Sequence, residues 1–167
     1  PDHGEVLLRG TNVTGLSAHE RARHGLARTF QTPFVFEGLT CAENVMLALD
    51  TSSSLNGFWH VLRTPKARRT ERLVFERARV LLDAVGLGNR LDSPAGALPP
   101  GERRLLELAR VLALEPDVVL MDEPAAGLTP AEIDELEEVI RSLRNAGVAV
   151  LLVEHHVDFV MRLADTL

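Results

Sequence analysis

Two short apolar runs without polar alternation stand out along the chain, at residues 117–121 and 148–153. Both are rich in valine and leucine, which is typical of strands buried on both faces of a parallel sheet. Between them, Ile133, Leu136, Ile140 and Leu143 recur on one face of a predicted helix over residues 130–144. The order strand, helix, strand predicts a right-handed β-α-β crossover. The pattern therefore predicts an α/β fold.

Three segments carry the pattern of a helix capping box, in which a hydroxyl and a glutamate three residues later bind each other's backbone N–H groups. They are SAHE at 17–20, TCAE at 40–43 and TPAE at 129–132. Another helix is predicted over about residues 66–85, with Gly86 as its left-handed C-cap. Residues 50–65 are rich in serine and glycine and predict a loop with a short apolar insert around Phe58, Trp59 and Val61.

Composition and charge bear on whether the protein binds nucleic acid, forms disulfides or crosses a membrane. The 167 residues, 46% of them hydrophobic, suffice for one domain with a core. A formal charge of -6 opposes a nucleic-acid-coating role, and the basic cluster at Lys66, Arg68, Arg69 and Arg72 predicts a solvated helix face. Cys41 is the single cysteine, which excludes a disulfide framework within the chain. No apolar run approaches the ~20 residues that cross a bilayer, so we expect a soluble, cytosolic protein.

Polar residues directly follow both predicted strands, at the sheet edge where ligands bind in parallel α/β folds. Asp122 and Glu123 follow the first strand, and Glu154, His155 and His156 follow the second. A carboxylate at a strand tip can hold Mg²⁺, while its neighbour can accept a proton from an attacking water. His155 is a candidate donor to a phosphate oxygen, although such a histidine taken alone is more often a surface side chain. An acidic pair can also be simply a polar strand exit.

Four motifs in sequence order carry a family resemblance. VVLMDEPAAGLTPAE resembles the Walker B motif and D-loop of ATP-binding cassette (ABC) transporter ATPases, and LLVEHHV resembles their switch-histidine strand. GLARTFQTPFVFEGLTCAENV is similar to the Q-loop and the helix after it. ALPPGERRLLELARVLALEPDVVLMDEP has the spacing of the signature motif, its helix and the next strand. The phrase DEPAAGLTPAE and the insert beginning GFWHVL resemble most the ATPases of branched-chain or hydrophobic amino-acid importers.

The resemblance implies a partial P-loop NTPase-type (ABC) parallel sheet core, formed by residues 1–33 and 114–167, with a helical subdomain over residues 34–113. It implies ATP and Mg²⁺ as cofactors. Transmembrane permease subunits and a second ATPase subunit, in a homodimer or heterodimer, are the implied partners, with no nucleic acid. The implied location is cytoplasmic and peripheral on the inner face of the cell membrane.

The resemblance also implies a role for each motif residue. Gln31 would contact the magnesium ion or the attacking water, and Asp122 would support the magnesium. Glu123 would polarise the water and His155 would contact the γ-phosphate. The signature-like positions would face the nucleotide of a second copy, and a helix starting near Pro100 would point its free N–H groups at that anion. These positions are Pro99, Pro100, Gly101 and Glu102, with Thr129 at the D-loop position that contacts the other subunit.

Two local departures from the family pattern weaken the expected contact with a second copy. Pro99 and Pro100 stand where the family has serine and glycine, and proline offers neither an N–H nor a hydroxyl. Gly101 still offers its amide. Thr129 stands where the D-loop often has aspartate, and there it makes a good helix cap.

A third departure concerns the phosphate cradle. The 167 residues contain no G-x-x-x-x-G-K-[ST] loop. We therefore expect the other half of the site to lie upstream of Pro1, the chain to be an internal fragment that is inactive by itself, and its sheet to have a vacant central position and an uncovered apolar face. The alternatives are a non-catalytic interaction fragment, or an ABC ATPase of a non-transport process such as DNA repair or translation.

Overall fold

The computed structural model describes residues 4–30, 32–52 and 65–166. Within these ranges the chain forms a small antiparallel hairpin, a parallel sheet and six α-helices. The hairpin pairs β1 (Leu7–Leu8) with β2 (Thr11–Asn12), and the sheet contains β3 (Leu26–Arg28), β4 (Val118–Asp122) and β5 (Ala149–Val153). The helices are α1 (Ala18–Arg23), α2 (Cys41–Ser52), α3 (Pro65–Ala84), α4 (Pro100–Leu112), α5 (Pro130–Asn145) and α6 (Val157–Leu163).

The sheet has the order β3-β4-β5, and both neighbouring pairs are parallel. Val119 of β4 lies between Ala27 and Val150 in the register. The two predicted strands and the helix between them are confirmed, with Asp122 as the last residue of β4 rather than the first after it. The expectation of a vacant position is wrong for the described strands, because the three are hydrogen-bonded consecutively. The two edges of the described sheet are β3 and β5.

Burial differs between the two predicted strands. Val119 and Met121 of β4 are fully buried, whereas Leu151 and Val153 of β5 are 60% and 54% exposed. The prediction of a strand buried on both faces is therefore wrong for β5. Valine and leucine occupy successive positions there, so composition alone cannot show that only one face of the strand is packed. The expected uncovered apolar face is present along β5.

Local capping signals form as the sequence predicts. All three capping boxes are closed, with the backbone N–H of Ser17, Thr40 and Thr129 each donating to a glutamate carboxylate at 2.8 Å. Gly86 adopts a φ of +81°, and the Leu87 N–H behind it bonds to the Leu82 carbonyl, which closes the end of α3.

The predicted loop at residues 50–65 is only partly described. The prediction that it begins at Asp50 is wrong, since α2 continues to Ser52. The predicted apolar insert around Phe58, Trp59 and Val61 lies outside the described residues. In the described ranges no helix is long and apolar enough to span a membrane.

The helices α2, α3 and α4 contact one another, and α5 packs against β5 and α6. Three fully buried residues, one on each of α2, α3 and α4, are Val45, Leu82 and Leu106. Burying a leucine or valine of this kind contributes about 1.5–3 kcal/mol of transfer free energy. The predicted boundaries of a helical subdomain at residues 34–113 stay a prediction. The packing leaves the carboxyl ends of β3, β4 and β5 together at one edge of the sheet.

Candidate functional site

Glu123 and His155 meet at the carboxyl ends of two adjacent strands. Their Oε1 and Nε2 atoms are 3.0 Å apart, with the His155 side chain 84% exposed and Glu123 less than a third exposed. Glu123 has a φ of +47°, which non-glycine residues rarely adopt, and its N–H donates to the Val153 carbonyl at 2.8 Å. The turn after β4 thus directs the Glu123 carboxylate toward the end of β5.

Asp122 faces a different neighbour. Its Oδ2 lies 3.1 Å from a guanidinium nitrogen of Arg28, the last residue of β3, and both side chains are at least two-fifths exposed. An exposed pair of this kind contributes at most about 1 kcal/mol. The Asp122 carboxylate is therefore accessible and already lies beside a positive charge.

Gln31, the remaining predicted catalytic residue, lies outside the described residues. The described backbone on either side of it in the sequence is held by α4. The Glu107 carboxylate accepts from the N–H of Phe30 at 3.1 Å and from that of Phe34 at 3.4 Å. Arg104 donates to the Phe30 carbonyl and, at 2.9 Å, to Glu107.

The Arg104–Glu107 pair is buried, with side chains only 3% and 5% exposed. Burial raises the pKa of Glu107, and the Phe30 N–H and the Arg104 charge oppose that rise. Sequence reasoning missed both residues. The available signal was an arginine and a glutamate three apart on a helix face otherwise lined by Leu105 and Leu108, a placement that predicts a paired, buried charge.

The signature-like segment begins α4 as predicted, with Pro99 as N-cap and Pro100 as the first helical residue. Both prolines are exposed, whereas Gly101 is buried. The Glu132 carboxylate, which closes the capping box with Thr129, lies against Gly101 at the start of α4. The Thr129 N–H, the Thr129 hydroxyl and the Gly101 N–H together lower the pKa of Glu132. Within this chain, an anionic side chain therefore already lies beside Gly101.

Glu102, the last of the predicted signature-like residues, pairs with Arg90 at 2.9 Å. Its carboxylate is therefore directed toward its own chain. The structure brings Glu123 and His155 into contact and places Thr129 beside the start of α4 through Glu132. It gives Asp122 a separate partner in Arg28.

Replacing Gly101 by alanine should disturb the start of α5. A Cβ at this position would lie 2.2 Å from Glu132 Oε1, so the carboxylate must leave its place in the capping box. We expect the free energy of unfolding to fall by about 0.5–2 kcal/mol, as for loss of a helix cap. Urea unfolding of Gly101→Ala, Glu132→Ala and the double variant measures this. The double variant should be no less stable than Glu132→Ala; additive losses would show that the two positions are not coupled.

Comparison with known proteins assigns this fold to a family. A family model described as ABC transporter matches residues 1–126, and the chain has the α/β fold of ABC ATPases. The chain belongs to the ABC transporter family.

Its relatives include transport proteins of several bacteria. The high-affinity branched-chain amino acid transport ATP-binding proteins LivG of Escherichia coli K12 and BraF of Pseudomonas aeruginosa are 37% and 39% identical over 166 residues. These alignments cover 99% of this chain and 65% of each relative, so the chain spans slightly less than two-thirds of their length. The lipopolysaccharide export system ATP-binding protein LptB of Acidithiobacillus ferridurans is 37% identical over 157 residues, covering 94% of this chain and 59% of LptB.

Solved structures show the same fold. MJ1267, an ATP-binding cassette of an ABC transporter, superposes with a TM-score of 0.79 at 30% identity and covers 98% of this chain and 64% of that one. The structure of cbiO1 from Clostridium perfringens, part of an ABC transporter complex, gives a TM-score of 0.76 at 23% identity, covering 99% of this chain and 61% of that one. At that identity the likeness concerns the fold alone.

Proposed function

We propose that this chain forms part of the ATP-hydrolysing subunit of an ABC importer for branched-chain amino acids. The observation that carries the proposal is the 3.0 Å contact between Glu123 and His155 at the ends of adjacent parallel strands. Similarity to LivG and BraF supports the solute class. Similarity to LptB supports a second candidate, a subunit of a lipopolysaccharide exporter.

In this proposal, Glu123 accepts the proton of the attacking water and His155 donates a hydrogen bond to a γ-phosphate oxygen. Their mutual contact orients both side chains before nucleotide arrives. Gln31 helps to position the water, and its neighbours Phe30 and Phe34 are fixed to α4 through Glu107. The chain thus supplies the groups that act on the water and on the terminal phosphate.

Asp122 is the proposed magnesium ligand. Mg²⁺ typically binds through one or two carboxylates together with substrate phosphates and waters, and an accessible carboxylate at a strand tip fits that mode. A Mg²⁺ ion held by Asp122 would supply positive charge that offsets the negative charge of the ATP phosphates. Arg28 pairs with the same carboxylate. When the ion binds, Arg28 either keeps its contact with Asp122 or rotates away from it.

The proposed partners are transmembrane permease subunits and a second ATP-binding subunit, at the inner face of the membrane. Residues 99–102 and Thr129 face the nucleotide of that second subunit. We expect their contact to be weak, since Pro99 and Pro100 lack N–H groups and the Glu132 carboxylate already lies against Gly101.

The 167 residues by themselves should bind MgATP very weakly and turn it over negligibly, because they contain no glycine-lysine phosphate loop. The test compares this chain with an extended form, in which about fifty residues carrying the loop region of LivG precede Pro1, a length taken from the usual motif spacing. Calorimetric titration and phosphate release should show micromolar binding and turnover only in the extended form.

Two outcomes would contradict the proposal. Micromolar MgATP binding by the 167 residues alone would show that no further loop is needed. A folded extended form with neither binding nor turnover would remove the assignment as an ATPase. Leucine uptake by cells lacking LivG, restored by the extended form, separates the importer from the exporter.

A further inference from the structure

Glu154 is a buried carboxylate that joins the turn after β4 to the turn after β5. Its side chain is 1% exposed. One oxygen accepts from the Ala125 N–H at 2.9 Å. The other accepts from the N–H groups of His155 at 2.7 Å and His156 at 3.1 Å. The two oxygens therefore bind one turn each.

These hydrogen bonds keep Glu154 charged. Burial by itself raises the pKa of this carboxyl, but the N–H groups of His156, Ala125 and His155 more than offset the effect and hold the pKa below its ordinary value of 4.5. At neutral pH the group is ionised, and hydrogen bonds to an ionised acceptor are roughly twice as strong as neutral ones. A neutral acceptor of the same size would hold the two turns less firmly.

The bonded amides lie close in sequence to the side chains that meet at the candidate site. Ala125 is two residues after Glu123, and His155 directly follows Glu154. Glu123 is in a backbone conformation that needs support from its surroundings, because its φ is positive. Ala125, whose N–H Glu154 holds, is itself fully buried and so anchors this turn.

We propose that Glu154 is a positioning residue that sets the separation of the two turns and thereby brings Glu123 and His155 together. The proposal rests on the proposed ATPase function for its catalytic consequence, but not for its structural one. The competing view is that Glu154 only caps α6, whose N-cap residue is His156. In that case Ala125 and Glu123 would not respond to changes at Glu154.

Amide hydrogen exchange of the 167-residue chain separates these views. Glu154→Gln keeps the shape of the side chain but has a single oxygen. It can accept hydrogen bonds from the N–H groups of one turn, and its NH₂ group then faces the N–H groups of the other turn. We expect slow exchange at Ala125, His155 and His156 in the unsubstituted chain and loss of protection in at least one turn in the variant. Glu154→Ala should lose protection in both turns.

The matched control is Glu137→Gln, which removes a largely buried carboxylate paired with Arg141 and Arg162, away from both turns. It should leave the exchange of Ala125 and His155 unchanged relative to the rest of the sheet. Unchanged protection of Ala125 in Glu154→Ala would overturn the proposal, because Glu154 would then serve only α6.

A double-variant cycle on the extended form tests the catalytic consequence. Glu154→Gln should lower kcat by about 10²-fold with little change in KM for ATP, the loss expected from misplacing a reacting group by about 1 Å. Combined with Glu123→Gln it should add little, because both act through the same side chain. Multiplicative losses would overturn the positioning role. An extended form without any turnover would remove the proposed function, and the exchange result would still decide the structural claim.

Discussion

Replacing Glu123 by glutamine in the extended form lowers kcat for ATP hydrolysis by about 10²–10⁴-fold and leaves MgATP binding intact. Glutamine keeps the size and the hydrogen-bonding capacity of the side chain, but its amide does not accept a proton from water. The contact with His155 at 3.0 Å is polar and open to solvent, so the substitution has little reason to unfold the turn. Single-turnover phosphate release, together with calorimetric titration, separates the chemical step from binding.

Two further variants separate the loss of a base from a loss of charge and from a loss of Mg²⁺ binding. Glu135→Gln changes the same charge on the exposed face of α5 and should leave kcat unchanged. Asp122→Asn should instead raise the Mg²⁺ concentration needed for half-maximal turnover, because it weakens the proposed metal ligand. If Glu123→Gln retains full turnover, another residue is the general base and the role proposed for Glu123 at the end of β4 is wrong.

Replacing Glu107 by alanine should lower the free energy of unfolding by about 3–5 kcal/mol, the usual cost of leaving one member of a buried ion pair without its partner. The substitution removes the acceptor for the N–H groups of Phe30 and Phe34 and leaves the Arg104 guanidinium buried without the Glu107 charge. Domains are stable by about 5–15 kcal/mol, so the loss is a large share of the total. Urea unfolding at neutral pH measures it.

The controls for this prediction are an apolar replacement and an exposed pair. Arg104→Met combined with Glu107→Leu should recover part of the loss, since no buried charge is then left without its partner. Arg79→Ala, which removes exposed pairs with Glu76 and Asp83 on α3, should change stability by no more than about 1 kcal/mol. A change of similar size in Glu107→Ala would mean that the buried pair contributes no more than a surface one.

Local features of this fold could be predicted from the sequence because the residues that produce them are close together along the chain. Thr129 and Glu132 close a capping box through groups three residues apart, and Gly86 supplies the left-handed residue that ends α3. The contact between Glu123 and His155 could be anticipated too, because parallel strands bring their carboxyl ends to one edge of the sheet.

Other features depend on packing between distant segments and carry no local signal. The three residues of β3 are too short to show a period, and the contacts of Glu107 with Phe30 and of Arg28 with Asp122 join positions 77 and 94 residues apart. The exposed side of β5 is likewise decided by which neighbours cover it. For the same reason the sequence did not show that the Glu132 carboxylate would lie against Gly101.

The helix α4 connects two regions that the sequence presents as separate motifs. Its first turn lies against the Glu132 side chain at the start of α5, and its middle turns hold the backbone on both sides of Gln31. At 1.5 Å per residue, its thirteen residues form a rod about 20 Å long, a length over which an α-helix bends little. If α4 tilts as a rigid body, both of its ends move together. A displacement of the segment around Gln31 would therefore also displace the signature-like residues at the start of the helix.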